Sequence, residues 1–140
     1  MTPQARQAGE YHTMLRIATA QTATVLVVDD DEHFRALART VLDPAGFEVR
    51  EAGSISECLQ RMLQRAADII VLDILLPDGD GITALLEIRE RFPRTRIVTV
   101  SGANESDLYL SVSSDLGADA SLSKASISTL GELLRVVLGQ

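Results

Sequence analysis

The sequence predicts an α/β fold: a doubly wound (βα)5 three-layer sandwich with a parallel five-stranded sheet between helices. Three observations predict it. Short apolar runs alternate with amphipathic stretches from Val25 onward. Val25–Val28, Ile69–Leu72 and Ile97–Val100 consist entirely of β-branched residues or leucine, as strands buried on both faces do. Acidic or hydroxyl residues follow successive runs, at the strand ends where open parallel sheets bind ligands.

Residues 1–23 are polar and weakly patterned, and are expected to form a flexible N-terminal extension. Tyr11, Met14, Leu15 and Ala18 nevertheless keep helical spacing. The folded domain is expected to span 24–139. Its first strand, Val25–Val28, leads into a stripe of Phe34, Leu37, Ala38, Val41 and Leu42 at spacings of three and four. Asp43-Pro44 and Gly46 stop that helix, because proline disfavours helical geometry before it and glycine suits the exit. Phe47–Glu51 alternates and predicts a weaker second strand. The stripe Ile55, Leu59, Met62 and Ala66 predicts the second helix, with Cys58 in the core. After the third strand, Pro77-Asp78-Gly79-Asp80-Gly81 reads as a turn, and Ile82, Leu85, Leu86 and Arg89 as a third helix. Leu108, Val112 and Leu116 mark a fourth crossover after Ile97–Val100. Ala120–Leu122 is placed as the fifth strand by order, and Leu130, Leu133, Leu134, Val137 and Leu138 form the closing stripe. Right-handed crossovers put every strand's carboxyl end on one edge, giving a flavodoxin-like sheet of order 2-1-3-4-5.

A length of 140 residues suits one domain. The net charge of -7 argues against direct contact with nucleic acid, which needs a basic face to displace counterions. No apolar run reaches the roughly 20 residues that span a bilayer. Arg6, Glu10 and Arg16 interrupt the start, so it does not read as a secretory signal. The single cysteine, Cys58, forms no internal disulfide. These features point to the cytoplasm.

Chemistry concentrates at the predicted strand ends. Asp29, Asp30 and Asp31 follow the first strand, Asp73 the third, Ser101-Gly102 the fourth and Lys124 the fifth. Clustered carboxylates repel one another, and a divalent cation relieves that repulsion. Few hard oxygen ligands, with room left for water and phosphate, suit Mg2+. Asp73 then becomes a candidate nucleophile for an aspartyl phosphate, with Lys124 and Ser101 opposite it for the phosphoryl oxygens. Each residue also has an ordinary explanation. Asp31 reads as a helix N-cap, and Asp29-Asp30 suits cap or turn duty equally well. Asp78 and Asp80 suit a turn, Ser101-Gly102 a loop and Lys124 a solvated surface. No role is assigned to His12 or His33. The signal is the order in which these features recur.

Here the sequence resembles the response regulator receiver family. Val25-Leu26-Val27-Val28-Asp29-Asp30-Asp31-Glu32 is similar to its first strand and acidic pair, and Asp68 through Gly81 to its phosphorylation segment. Val98–Gly102 and Gly117–Lys124 are similar to the segments carrying its hydroxyl and lysine. The resemblance implies Asp73 as phosphoacceptor and Asp30 as a direct Mg2+ ligand. It also implies Asp29 binding mainly through water, the Leu75 backbone carbonyl as a further ligand, and Ser101 and Lys124 on the phosphoryl oxygens. A histidine kinase or histidine phosphotransfer protein would be the donor. Because the last helix nearly exhausts the chain, output is expected through contact with a downstream protein. A homodimer through the fourth helix, fifth strand and fifth helix is the implied assembly. The chain would catalyse only its own phosphorylation and dephosphorylation.

Two departures stand out. Ser121 occupies the position where the family usually has Tyr or Phe, and Ala125 follows the lysine where a cis proline is usual. A cis bond before alanine costs about 3 kcal/mol or more, so a trans bond is expected. The departures keep open a binding module that signals without phosphorylation. A remoter alternative is a phosphatase of the haloacid dehalogenase type, using Asp29 and Asp31 as its carboxylate pair.

Overall fold

Val25, Leu26, Val27 and Val28 alternate in direction along β1 (Thr24–Val28) yet all are fully buried, so helices cover the sheet on both sides. The structure, a computed structural model, describes residues 22–76, 81–102, 111 and 113–140. Four further strands, β2 (Glu48–Ala52), β3 (Ile69–Asp73), β4 (Arg96–Ser101) and β5 (Ala120–Ser123), pair with it in parallel in the order β2-β1-β3-β4-β5. The α/β fold class and strand order are as expected.

The two faces divide by residue parity. Val25, Val27, Ile69, Val71, Val98 and Val100 pack under α1 (Glu32–Leu42) and α5 (Leu130–Val137). Leu26, Val28, Ile70, Leu72 and Ile97 pack under α2 (Ile55–Gln64) and α3 (Gly81–Arg91). Residues 113–115 are helical (α4) and precede β5. No helix among the described residues is long and apolar enough to cross a membrane.

Several boundaries differ from expectation. Phe47 lies just before β2: its N–H turns back to Leu42 O at 3.2 Å, part of the α1 exit that passes through Gly46 at φ 92°. Its ring still joins the core. Ala66 lies beyond α2 and is exposed, while Ala67 is buried. The helix stops early because Arg65 turns extended and the Arg50 guanidinium takes the Arg61 and Arg65 carbonyls at 2.9 and 2.6 Å. On α3 the buried face is Gly81, Ala84, Leu85 and Ile88, leaving Leu86 exposed. Leu37 of α1 and Leu116 are likewise exposed. A 3-10 segment, Lys124–Thr129, precedes α5 and was not foreseen. Tyr11 to Ala18, Asp78, Asp80, Leu108 and Val112 lie outside the described side chains.

Cys58 is fully buried on α2, and burial pushes its thiol up to about 12. A thiol reagent at neutral pH is therefore expected to modify the native chain only at its rate of opening, and the urea-unfolded chain at once. Rapid native labelling, followed by absorbance, would contradict this packing.

Candidate functional site

Parallel register places the chemistry-bearing residues at one edge. Asp29 directly follows β1 and donates its N–H to Ala52 O at 3.1 Å, continuing the β1–β2 pairing. Asp73 ends β3 opposite Val100 of β4, Ser101 ends β4 opposite Ser123 of β5, and Lys124 comes next. Asp29, Asp73 and Ser101 are buried, whereas Asp30 is exposed. Carboxylate oxygens of Asp29, Asp30 and Asp73 lie within 4.8 Å of one another.

Each buried carboxylate has one oxygen fixed by the backbone and the other turned to the lysine. Asp29 Oδ1 accepts from the Asp31 N–H and Asp73 Oδ1 from the Leu75 N–H, both at 2.9 Å. The Lys124 ammonium bridges the two, 2.6 Å from Asp29 Oδ2 and 3.2 Å from Asp73 Oδ2. Asp29 Oδ2 is wholly buried, and the Lys124 ammonium is its ion-pair partner.

Burial raises the Asp29 pKa; Lys124 and the Asp31 N–H oppose this, and the Asp73 charge adds to it. For Lys124, burial alone would lower the pKa, but the hydrogen bond and charge of Asp29 and the charge of Asp73 outweigh it and raise it. Among the described residues, three acidic side chains converge on one lysine here, an excess of carboxyl groups over ammonium groups. An all-oxygen donor set with that excess fits a small divalent cation.

The other expected residues are placed less completely. Ser101 Oγ donates to its neighbour Gly102 O at 3.2 Å, and no hydrogen bond joins it to Asp73 among the described residues. Leu75 directs its N–H to Asp73 and leaves its side chain exposed. Asp31 caps α1, accepting from the His33 N–H at 2.9 Å. That duty occupies the second carboxylate required by the haloacid dehalogenase reading.

Sequence reasoning missed two helix residues. Arg35 Nη1 donates to the Asp29 carbonyl at 2.6 Å, and Arg35 and Arg39 both bind Glu51 of β2. Two arginines four apart with an acid on the next strand were the available signal. The Phe34 ring lies beneath the Lys124 ammonium.

Around Ser121, hydroxyl groups from β4, α4 and β5 meet. Thr99 Oγ1 lies 2.8 Å from Ser113 Oγ and 3.0 Å from Ser121 Oγ, and Ser114 Oγ lies 3.2 Å from Ser121 Oγ. These contacts tie β4, α4 and β5 together. Thr99 within the otherwise apolar run Ile97–Val100 was the signal, since a buried hydroxyl needs a partner. Thr99→Val is expected to cost about 1 kcal/mol by removing the buried hydroxyl that contacts both Ser113 Oγ and Ser121 Oγ. An unchanged urea midpoint would show that the cluster contributes nothing. No cis peptide occurs among the described residues, so the Lys124–Ala125 bond is trans as expected, and the Ala125 N–H donates to Ser123 Oγ at 3.4 Å.

Known proteins agree with this architecture. The response regulator receiver domain matches residues 25–136. The KDP operon transcriptional regulatory protein KdpE of Escherichia coli K12 is 38% identical over 115 residues, covering 81% of this chain and 50% of that protein. The chemotaxis protein CheY of Bacillus subtilis is 31% identical over 87 residues, covering 61% of this chain and 72% of that one. The chain spans about half the length of curated relatives such as KdpE. Among solved structures, the receiver domain of NtrX from Brucella abortus superposes with a TM-score of 0.78 at 28% identity, covering 83% of this chain and 98% of that one. With a five-stranded parallel sheet of the same type and an acidic cluster facing a lysine, this chain belongs to the response regulator receiver domain family of two-component signalling.

Proposed function

We propose that this receiver domain takes a phosphoryl group onto Asp73 from a phosphohistidine of a histidine kinase or histidine phosphotransfer protein. The observation that carries this reading is the Asp73 carboxylate, buried at a strand end, anchored through Oδ1 by Leu75 and facing the Lys124 ammonium at 3.2 Å. A carboxylate oxygen of Asp73 attacks phosphorus. The donor's P–N bond breaks, and the imidazole leaves with the electron pair and takes up a proton. Lys124 and Ser101 bind the phosphoryl oxygens as charge develops on them. Asp29, Asp30, Asp73 and the Leu75 carbonyl are the residues that would hold Mg2+, which when bound neutralises charge and orients the incoming group. The chain acts on no substrate beyond its own aspartate. We place it in the cytoplasm, signalling by contact with a downstream protein, with a homodimer through α4, β5 and α5 as the assembly to test and no direct role for nucleic acid.

Incubation with acetyl phosphate and Mg2+ is expected to add one phosphoryl group by intact mass, and EDTA to prevent it. No adduct under those conditions would contradict the reading. Saturating Mg2+ is expected to raise the thermal midpoint by several degrees, as about 2.7 kcal/mol of linkage at a hundredfold excess over Kd requires. Asp30→Asn should remove most of that rise, and an equal rise in this variant would place the cation elsewhere.

A second reading, phosphorylation-independent binding, is favoured by the hydroxyl cluster at Ser121, because no aromatic is there to swing inward. It predicts a partner that binds Asp73→Asn as tightly as phosphorylated protein.

A further inference from the structure

We propose that Phe34 is a positioning residue for phosphoryl transfer, holding the Lys124 ammonium over its ring between the Asp29 and Asp73 carboxylates; this rests on the reading of Asp73 as phosphoacceptor. Lys124 Nζ lies 4.6 Å from the Phe34 ring centroid while keeping its contacts of 2.6 and 3.2 Å to the two carboxylates. The negative face of an aromatic ring attracts a cation, most strongly where water is scarce. Here Phe34 is only 6% exposed and the Lys124 side chain 24%.

The ring cannot drift from this place. It packs in the core with Val25, Val27, Ala38 and Leu130. Its backbone lies in the first turn of α1, where capping Asp31 gives its N–H to Asp29 Oδ1 and Arg35 grips the Asp29 carbonyl. One helical turn thus fixes Asp29 and the cation facing it. A lysine side chain has many rotamers, so a fixed ring beneath the ammonium narrows its choice to the productive one.

Lys124 is the only lysine among the 140 residues, so lysine-labelled protein reports on it alone. In wild type, the Lys124 ε-methylene protons are expected upfield of their position in the urea-unfolded chain, by the ring current of Phe34. Phe34→Leu should return them to the unfolded position. With acetyl phosphate and saturating Mg2+, Phe34→Leu should slow phosphorylation about fivefold, while Phe34→Tyr, which keeps the ring face, should stay within about twofold of wild type. In a Lys124→Ala background, Phe34→Leu should slow it no further, because the ring acts through the ammonium.

Unshifted ε-protons in wild type would overturn the proposal without any variant. So would Phe34→Leu reacting as fast as wild type, or losing the same factor in the Lys124→Ala background. A wild-type chain that takes up no phosphoryl group overturns the phosphoacceptor reading and this one with it. A phosphorylated wild type matched by Phe34→Leu overturns the positioning role alone.

Discussion

Gly81→Ala is expected to lower the thermal midpoint by about 10 °C, from an overpacking cost of about 3 kcal/mol. Gly81 opens α3, and a Cβ there would overlap the Ile74 backbone at its Cα, carbonyl carbon and oxygen. A side chain could turn away from such a contact, but a backbone can retreat only by moving its neighbours. Ile74 directly follows Asp73, and its N–H is held by Val100 O at 3.2 Å. Relief of the clash therefore displaces the end of β3 and the carboxylate it carries. The sign makes the prediction sharp. In an exposed helix interior, glycine to alanine stabilises by about 1 kcal/mol. A midpoint that is unchanged or higher, measured by circular dichroism, would show that the close approach of Gly81 to Ile74 does not exist.

Lys124→Ala is expected to slow phosphorylation from acetyl phosphate at least about a hundredfold, the loss typical of removing one preorganised charge-stabilising group. Its effect on stability depends on pH, and the sign follows from the two shifted groups. The Lys124 pKa is raised in the folded chain, so its contribution is full below the ordinary lysine value of 10.5 and is lost as pH climbs through the folded value. Asp29 is also raised, but for an acid this means that ionisation costs stability. That cost sets in as pH rises past the ordinary 3.8 and is complete above the folded value. Lys124 opposes the cost, so its removal should raise Asp29 further and enlarge the loss. In EDTA, the variant should fall progressively behind wild type as pH increases from about 4 toward neutrality. Urea midpoints that run parallel over this range would contradict the ion pair.

The fold was legible because strands buried on both faces leave continuous apolar runs, as Val25–Val28 and Ile69–Leu72 do. Helix rotation was not. Leu86 follows helical spacing as well as Ala84 does, but the approach of Gly81 to Ile74 turns Ala84 inward and Leu86 outward. The end of α2 was hidden for a similar reason, since Arg50 caps it from a different strand. In the candidate site, Asp29 and Asp73 were readable because each comes at the end of a recognisable apolar run, and Lys124 because of its order along the chain. Phe34 and Arg35 were not, because their roles depend on how α1 lies across the sheet. Ser121 was marked as a departure, yet its hydroxyl partners Thr99, Ser113 and Ser114 come from β4 and α4 and are joined only by folding.

The central claim is that Asp73, among the clustered aspartates, receives the phosphoryl group. Phosphorylated protein can be reduced with borohydride, which converts an aspartyl phosphate to homoserine, and then mapped by peptide mass spectrometry. The account predicts homoserine at position 73 alone, with none at 29 or 30 and none anywhere in Asp73→Asn. Homoserine at Asp29 or Asp30 in the wild-type chain, or an undiminished adduct in Asp73→Asn, would contradict it.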